Sequence, residues 1–442
     1  MKELNCRKIV LTNEKPLICV SVTGANLREI KEQAKKIKKL KPDIVEWRAD
    51  CYKIANEEKD IFEIAYALEY VHKKLRKYPL IFTFRSLDEG GKRRVNFEKY
   101  REYLHYIALE GVKNNVELID VEVYGKKDLP GMKETIDEIH DLGMKVLGSY
   151  HNFHRTPSQA EVVEILSTME QMGCDVVKIA AMPSYKGDVY SIINGAAEAD
   201  MKLKAPIIAI SMGELGSITR VALKQTHSVL SFASLMDNES FKGELRHETI
   251  AKMNSLGQLP FHMARTLIEA NYNTVFDGNI SVVGYMGTGK TTVSKSLAMI
   301  LNREVIDTDQ YIEEQQGKSI KQMFDIMSEE AFRDIETAAV KKISKMSNMI
   351  ISCGGGAVLR RANADALKAT GKVVRLNAKP ETIFERVKRR DTRPLLNDNM
   401  TLEYVKDMMD KRELAYREAA DITVDVDSNN RVLTCYYIIS KL

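Results

Sequence analysis

The sequence predicts an α/β protein of two domains, a (β/α)8 barrel over residues 1–275 and a parallel α/β domain over residues 276–442. Three observations support this fold class. The chain has 442 residues, which at about 150 residues per domain indicates two or three domains. Eight apolar runs recur about every 30 residues between positions 17 and 234, the length of one βα unit. A phosphate-loop motif then follows an apolar strand at 280–283.

Composition excludes several classes of protein. The 66 basic and 62 acidic residues leave a net charge of +4, so nothing favours nucleic acid or an anionic membrane as a partner. No apolar run reaches the roughly 20 residues of a membrane helix, and the N-terminus carries charges where a secretion signal has its apolar core. The six cysteines are scattered without a CxxC pair, which predicts reduced thiols and a cytoplasmic location.

The barrel is predicted from the order of its elements. Charged stretches with helical periodicity, such as 27–41 and 158–173, separate the apolar runs. The segment 235–254 is interpreted as an insertion or an elaborated final loop, 258–271 as the last helix and 272–278 as a linker. The eight predicted strands are 17–22, 43–50, 79–86, 117–123, 145–151, 174–182, 206–213 and 229–234.

Charged residues lie where these runs end, which is where barrels carry their active sites. They are Glu46, Arg48, Arg85, Glu122, His151 and Lys178, with Arg220 after the seventh run. Charged side chains in apolar strands are costly unless they are paired. They form either a catalytic site or a set of charged pairs that closes the barrel, and their number favours the site.

Lys178 and His151 suggest a specific chemistry for the barrel. A buried lysine loses solvation of its charged form, so its amine can attack a ketone and form a Schiff base. His151 can move a proton, and Glu89 can orient it. The alternatives are a structural histidine and a lysine whose stem alone is buried.

The second domain opens with Gly284–Thr291, which matches GxxxxGK[ST] between a strand and a helix at 290–301. Backbone N–H groups and the helix N-terminus would hold phosphates. Lys290 would reach the β- and γ-phosphates, and the Thr291 hydroxyl would bind Mg²⁺. A chance glycine-rich turn is the alternative, which the flanking strand and helix disfavour.

Further features follow the phosphate loop along the chain. Asp307 and Asp309 lie in a strand predicted over 304–312, where they would share a face and serve a metal ion and a substrate hydroxyl. A strand at 350–358 runs into a triple glycine, and the basic segment 386–396 is interpreted as a lid or, equally, as a solvated helix end.

The motifs of residues 279–442 together resemble shikimate kinase: GYMGTGKTT, DTD, the FRxxE of 332–336, CGGGAV, RPLL and KRxxxYREAA. The resemblance implies a P-loop, nucleoside-monophosphate-kinase-like fold that uses ATP and Mg²⁺. It places Asp309 on the acceptor hydroxyl, and Arg393 on the lid and the transferred phosphoryl group. It implies that ATP is bound by Gly287, Thr288, Gly289, Lys290, Thr291, Thr292 and Arg393, Mg²⁺ by Thr291 and Asp307, and shikimate by Asp309, Arg333, Gly354, Gly355, Gly356 and Arg412.

Residues 17–260 resemble type I 3-dehydroquinate dehydratase in EWRAD, FTFRSLDEGG, DVEVY, GSYHN, VVKIAAMP, ISMGELGSITR and SLGQL. The resemblance implies a TIM barrel that needs no cofactor, with Lys178 as the Schiff-base lysine, His151 as general acid/base and Glu89 as its partner. It assigns substrate binding to Glu46, Arg48, Arg85, Arg220, Ser255 and Gln258. The chain departs from the family in a longer stretch between Arg220 and Gln258, and in a lid segment, 254–258, without the usual proline.

The sequence therefore predicts a bifunctional cytoplasmic enzyme of the shikimate pathway, which serves chorismate and aromatic amino-acid biosynthesis. Its partners would be the small molecules 3-dehydroquinate and shikimate, with no nucleic acid or membrane and with a homodimer through the barrel. Two alternatives stay open: a lyase or aldolase joined to a kinase for another hydroxy acid, and a non-catalytic sensor of pathway metabolites.

Overall fold

The structure is a computed structural model that describes residues 2–55, 60–123, 129–235, 257–388, 401–428 and 430–442. Its described residues divide into two compact units, and the boundary between them in the sequence falls between Ile268 and Glu269. This division falls within the helix Phe261–Tyr272. The predicted boundary near residue 275, which would separate two independently folding domains, stays a prediction.

Two small strands precede the barrel and eight parallel strands form it, which confirms the predicted fold class. The strands are β1 Glu3–Asn5, β2 Val10–Thr12, β3 Leu17–Val22, β4 Ile44–Arg48, β5 Leu80–Thr83, β6 Val116–Glu122, β7 Lys145–Asn152, β8 Val176–Ala181, β9 Ile207–Ser211 and β10 Leu230–Ala233. The barrel strands occur in the order β10-β3-β4-β5-β6-β7-β8-β9. Backbone contacts join the two ends of this sheet, because Ile207 and Ser228 form a parallel bridge and Val229 N–H donates to Ile207 O at 3.0 Å.

Helices alternate with these strands, and local capping explains where several of them begin. The Asn26 side chain accepts from Glu29 N–H at the first helix, and Ser158 and Glu161 form a reciprocal capping box at another. The helices are Leu27–Leu40, Asp60–Leu75, Phe97–Lys113, Leu129–Asp141, Gln159–Gln171, Lys186–Lys202, Gly213–Gly216, Leu223–Thr226 and Phe261–Tyr272, with 3-10 turns at Ala49–Cys51, Leu87–Glu89 and Ser217–Arg220.

The antiparallel hairpin of β1 and β2 was not predicted from the sequence. Leu11 on β2 is fully buried in the barrel core, next to residues near the starts of the strands such as Leu118 and Leu147. Leu4 and Ile9 pack against the same cluster. The hairpin therefore covers apolar side chains at the N-terminal end of the barrel, away from the predicted site. Its strands have only three residues each, too few for a clear alternating pattern.

The second unit contains a five-stranded parallel sheet. Its strands are β11 Asn279–Gly284, β12 Val305–Asp307, β13 Ile350–Ser352, β14 Gly371–Asn377 and β15 Ile422–Asp425, and they occur in the order β12-β13-β11-β14-β15. Its helices are Lys290–Leu301, Thr308–Gln316, Ile320–Ile326, Glu329–Ile343, Arg361–Lys368, Pro380–Lys388, Leu402–Ala419 and Arg431–Ile439, with a 3-10 turn at Ala357–Leu359. This arrangement agrees with the predicted P-loop domain.

One predicted strand of this unit is mostly helix. The strand predicted over 304–312 ends at Asp307, and the helix Thr308–Gln316 begins directly after it. Asp307 is the N-cap, since its carboxylate accepts the backbone N–H of Asp309 at 3.1 Å. An aspartate at this position stabilises a helix start, so Asp307 and Asp309 lie on different elements rather than on one strand face.

Within the described part of the chain, no helix is long and apolar enough to cross a membrane. All six cysteines are free thiols.

Two candidate active sites

The charged residues of the barrel occupy the C-terminal half of the strands and the turns that follow them. Glu46 and Arg48 lie on β4, Glu122 ends β6 and His151 is the last but one residue of β7. Arg85 follows β5, and Arg220 ends the 3-10 turn after β9. Two residues differ from the prediction, because Lys178 is the third of the six residues in β8 and Glu46 is the third of the five in β4, rather than the strand ends. Both therefore lie deeper in the barrel.

Arg85 is the centre of a buried ionic cluster. Its guanidinium contacts Asp120 at 2.7 Å, Glu122 at 3.2 Å and Glu89 at 3.4 Å. It also donates to Ser149 Oγ at 2.7 Å. Burial by itself would lower the pKa of Arg85, but the carboxylates raise it well above the usual range. Arg85 is thus a permanent cation that holds three acidic side chains together.

Lys178 is 4% exposed, and its Nζ lies 4.2 Å from the centre of the Phe232 ring. Asp120 Oδ2 is 3.9 Å from the same nitrogen. Burial lowers the pKa of Lys178 below its usual value, although Asp120 and Glu46 act in the opposite direction. The surroundings therefore favour a larger fraction of neutral amine than an exposed lysine has at the same pH.

His151 and Glu89 are in direct contact. Glu89 Oε2 is 3.1 Å from the ring Nδ1 and accepts the backbone N–H of His151 at the same distance. An ionised carboxylate only accepts hydrogen bonds, so Nδ1 carries the proton and Nε2 keeps a lone pair. Burial, together with the positive charges of Arg85 and Lys178, lowers the pKa of His151 well below its usual value. The ring is a neutral base at pH 7.

Glu46 and Arg48 are held by separate partners. Glu46 accepts from the hydroxyls of Ser21 and Thr83, while Arg48 makes two hydrogen bonds to Asp50, at 2.7 and 2.9 Å. The sequence analysis did not single out Asp50. In the structure its side chain is 1% exposed and also accepts the backbone N–H groups of Arg85 and Lys92. Asp50 therefore fixes Arg48 and the loop that carries Glu89.

The remaining predicted barrel residues are only partly described. Arg220 is buried, and burial lowers its pKa to about 10. Gln258 is half-buried, and a Cβ on Gly257 before it would lie 2.1 Å from Gly213 O. This contact places the Gln258 segment beside the turn between β9 and Arg220. Ser255 and the segment 236–254, most of the predicted insertion, lie outside the described residues.

In the second unit the phosphate loop joins β11 to the helix Lys290–Leu301, as predicted. Gly287 and Gly289 have φ angles of 80° and 91°, which favour glycine. Lys290 Nζ donates to the carbonyl oxygens of Gly284 at 2.8 Å and Tyr285 at 3.3 Å. Thr288 is buried and donates to Tyr285 O, and Thr292 lies in the first turn of the helix. The Lys290 amine thus contacts the start of the phosphate loop.

Thr291 and Asp307 form the predicted metal position. The Thr291 hydroxyl donates to Asp307 Oδ2 at 3.2 Å, and the Ser352 hydroxyl donates to the same oxygen at 2.9 Å. Hydroxyl and carboxylate oxygens are the hard ligands that Mg²⁺ prefers. The donor set therefore fits a magnesium ion beside the phosphate loop.

Asp309 and Arg333 lie against the triple-glycine turn. A Cβ on Gly354 would be 2.2 Å from Asp309 Oδ1, and one on Gly356 would be 2.2 Å from Arg333 Nη1. Arg333 also pairs with Glu336 at 2.7 Å. Burial and the nearby charge of Asp307 raise the pKa of Asp309 to about 6. The turn thus brings a carboxylate of raised basicity close to a cation.

Arg412 reaches the same region from the helix Leu402–Ala419. Its guanidinium lies 5.8 Å from the Tyr285 ring centre, next to the phosphate loop. Tyr416, one turn later, donates its hydroxyl to Gly355 O in the glycine turn. Arg393 and most of the predicted basic lid lie outside the described residues.

The structure also adds residues that the sequence analysis did not single out. Asp120, Ser149 and Phe232 surround Lys178 or Arg85, and Ser352 joins Asp307. One signal was available, because Asp120 lies two residues before Glu122 in β6 and must share its face. Ser149 and Phe232 carried no such signal, since serine and phenylalanine are ordinary strand residues.

Comparison with known proteins agrees with this geometry. The family model for type I 3-dehydroquinase matches residues 18–259, and the family model for shikimate kinase matches residues 286–442. The 3-dehydroquinate dehydratase of Clostridium kluyveri is 38% identical over 229 residues, which are 52% of this chain and 87% of that protein.

Two solved structures are similar to parts of the chain. A crystal structure of type I 3-dehydroquinate dehydratase from Clostridium difficile, with covalently modified comenic acid, aligns with a TM-score of 0.53 and 28% identity over 62% of this chain and 99% of that one. Shikimate kinase from Acinetobacter baumannii in complex with shikimate is 33% identical in sequence. The alignment covers 37% of this chain and 91% of that one, with a TM-score of 0.36. The barrel therefore belongs to the type I 3-dehydroquinase family and the second unit to the shikimate kinase family, which makes the chain a fusion of a lyase and a phosphotransferase.

Proposed function

We propose that the barrel dehydrates 3-dehydroquinate to 3-dehydroshikimate through a Schiff base, and that the second unit phosphorylates shikimate with ATP. The two reactions belong to chorismate and aromatic amino-acid biosynthesis. The observation that carries the barrel proposal is the buried Lys178 amine, which shares an ionic cluster with the His151–Glu89 pair. A protein that only sensed metabolites would have no use for a desolvated amine beside a neutral base.

The reaction at the barrel follows from these groups. The neutral Lys178 amine bonds to the ketone carbon. The carbonyl oxygen leaves as water, which takes one proton from the amine and one from solvent, and the product is an iminium ion. The iminium withdraws electrons and acidifies the adjacent C–H, from which His151 Nε2 takes the proton. The protonated ring then donates to the departing hydroxyl, and water releases the product and the free amine. Glu89 keeps the ring in place throughout, and Arg220 supplies a cation for the substrate carboxylate.

A reductive trap tests the imine. Borohydride added with 3-dehydroquinate is expected to inactivate dehydration and to add the mass of the reduced substrate to the peptide that contains Lys178. Lys178→Met serves as the matched control, since it keeps the apolar stem and removes the nucleophile. An unmodified Lys178 peptide in the inactivated parent protein would overturn the Schiff-base mechanism.

For the second unit, the carrying observation is that Asp309 and Arg333 lie against the glycine turn after β13. This strand pairs with β11, which leads into the phosphate loop. Lys290 and the loop would hold the ATP phosphates, while Thr291 and Asp307 would hold Mg²⁺, which neutralises phosphate charge. Asp309 would accept the proton of the shikimate hydroxyl, and Arg333 and Arg412 would bind the carboxylate. Phosphoryl transfer relies mainly on such positioning and electrostatics.

Shikimate-dependent release of ADP tests this assignment. We expect Arg333→Gln to raise the KM for shikimate about 100-fold with a smaller effect on the KM for ATP, since a buried charged hydrogen bond contributes a few kcal/mol. Arg361→Gln, an exposed arginine of the same unit, is the control. Equal turnover of shikimate and of a neutral polyol of the same size would overturn the substrate assignment and favour another hydroxy acid or a sugar.

Two further expectations complete the proposal. The free thiols suit a cytoplasmic enzyme, which fractionation of the source cells would test. A homodimer through the barrel stays a prediction that sedimentation at several protein concentrations would examine.

A further inference from the structure

One buried carboxylate has no part in the mechanism above. Asp120 lies in β6, is 1% exposed and reaches within 3.9 Å of Lys178 Nζ. Among the described residues, it is the acidic side chain within ion-pairing distance of that nitrogen. The strands β6, β8 and β10 are alternate members of the barrel, and alternate strands contribute side chains to one interior layer. This explains how Asp120, Lys178 and Phe232 meet.

Both carboxylate oxygens of Asp120 are held in place. Oδ1 accepts the Ser149 hydroxyl at 2.7 Å, and Oδ2 accepts Arg85 Nη2 at 2.7 Å. Ser149 is itself fully buried and is the register partner of Lys178 in the neighbouring strand. Asp120 therefore cannot turn away from Lys178 without the loss of two buried hydrogen bonds, so its charge stays at a fixed distance from the nitrogen.

The carboxylates of the cluster act against the effect of burial and favour the charged form of Lys178. Arg85 is one positive charge shared by three carboxylates, those of Asp120, Glu122 and Glu89. Negative charge is thus in excess before Lys178 is counted. The groups that influence Lys178 from the surrounding elements are Cys19 on β3, Glu46 on β4, Arg85 after β5, Asp120 on β6, His151 on β7 and the Phe232 ring on β10.

We propose that Asp120 is a positioning residue for the Schiff-base reaction: its carboxylate holds the Lys178 nitrogen in the barrel and stabilises the positive charge which that nitrogen carries as an iminium. The inference rests on the proposed function. A neutral amine attacks the ketone, whereas the nitrogen is cationic in the steps that follow. Burial favours the neutral form, and a fixed carboxylate offsets the cost of the later charge. Asp120 thus stabilises the cationic intermediate, and it also lowers the fraction of Lys178 that is neutral before the reaction.

Asp120→Asn separates these effects, because it removes the charge while the amide oxygen can still accept from Arg85 and the amide NH2 can donate to the Ser149 hydroxyl oxygen. The rate of cyanoborohydride trapping of 3-dehydroquinate is measured across pH in the full chain. The acid limb of this profile, where the rate falls as the pH is lowered, reports protonation of the Lys178 amine. We expect the acid limb to move down by about 1 to 3 pH units. We expect kcat for dehydration to fall about 10- to 100-fold with little change in KM, because the lost stabilisation belongs to the charged intermediate.

Glu122→Gln is the matched control. Glu122 is on the same strand, is equally buried and contacts the same arginine, but it is not an ion-pair partner of Lys178 among the described residues. The acid limb of the Glu122→Gln profile should move clearly less than that of Asp120→Asn, since a charge beyond ion-pairing distance acts more weakly on the Lys178 nitrogen. An unshifted acid limb in Asp120→Asn, or an equal shift in both variants, would overturn the proposal.

Two outcomes are kept apart from these. If the parent protein forms no adduct at Lys178, the proposed function fails, whereas an adduct with an unchanged Asp120→Asn profile overturns only the present inference. If the Asp120→Asn variant does not fold, Asp120→Glu is tested instead, because it retains the negative charge. The acid limb of its trapping profile should remain near the parent's, and a downward shift of about one pH unit or more would contradict the proposed role of the Asp120 charge.

Discussion

Two lysines illustrate how surroundings decide the chemistry of one residue type. Lys178 is buried beside a phenyl ring, and burial works against its charge, whereas the fixed carboxylate of Asp120 favours the charge. Lys290 instead donates to two carbonyl oxygens of its own loop, which suits a permanent cation. The first arrangement suits the proposed nucleophile and the second suits the proposed phosphate contact.

Asp309 allows a prediction about stability. Its native pKa of about 6 lies above the unfolded value of 3.8, so the folded protein binds more protons between these values. Acidification from pH 7 to pH 5 should therefore stabilise the kinase unit relative to its unfolded state. We expect Asp309→Asn to be more stable than the parent by about 1 to 3 kcal/mol at pH 7.5 and to lose phosphorylation about 100-fold or more.

Urea denaturation at pH 7.5 and pH 5 measures this effect. The stability difference between Asp309→Asn and the parent should shrink at pH 5, where more of the native Asp309 is protonated. Glu314→Gln, an exposed acid on the same helix, is the control and should change little at either pH. A variant that is less stable than the parent at pH 7.5 would contradict the prediction.

At the level of elements, strand ends and the turns after them carry both sites. The turn after β13 shows how little space is available, since Gly354 and Gly356 lie directly against the side chains of Asp309 and Arg333. A Cβ on the middle glycine, Gly355, would instead meet nothing within 4 Å in the described part of the chain beyond its own neighbours in sequence. The same three-residue run thus contains two constrained positions and one open position.

Alanine substitutions in this turn should therefore differ. Gly354→Ala and Gly356→Ala should change the free energy of unfolding of the kinase unit by no more than about 1 kcal/mol, because the ends of the Asp309 and Arg333 side chains can move away from the new methyl group. Phosphorylation should nevertheless fall at least 10-fold in both variants, since Asp309 or Arg333 is displaced. Gly355→Ala should keep the parent's melting temperature and its phosphorylation rate. Thermal denaturation and shikimate titrations measure these effects, and an equal loss of phosphorylation in all three variants would contradict the prediction.

At the scale of the whole molecule, the chain joins two compact units that each hold a separate set of reactive groups. The proposed reactions are not consecutive, because a reduction separates 3-dehydroshikimate from shikimate. The fusion therefore does not by itself imply transfer of an intermediate from one site to the other, and each unit should work without the chemistry of the other.

Single substitutions test this independence. Lys178→Ala should lower dehydration by about a thousandfold or more, since it removes the nucleophile, and should leave phosphorylation within about twofold. Lys290→Ala should do the reverse through the loss of a phosphate contact. Both activities are assayed on each purified full-length variant. Loss of both activities in either variant would instead indicate one interdependent unit.

The sequence determined the fold class, because repeated apolar runs and a GxxxxGKT motif are local patterns that backbone geometry converts directly into strands, helices and a loop. It placed Lys178, His151 and Lys290 on the correct elements for the same reason. Only the tertiary structure decided that Asp120 meets Lys178, that one arginine holds three carboxylates, and that Asp307 caps a helix. These contacts depend on strand register and on competition between residues far apart in the chain, which no spacing along the sequence encodes.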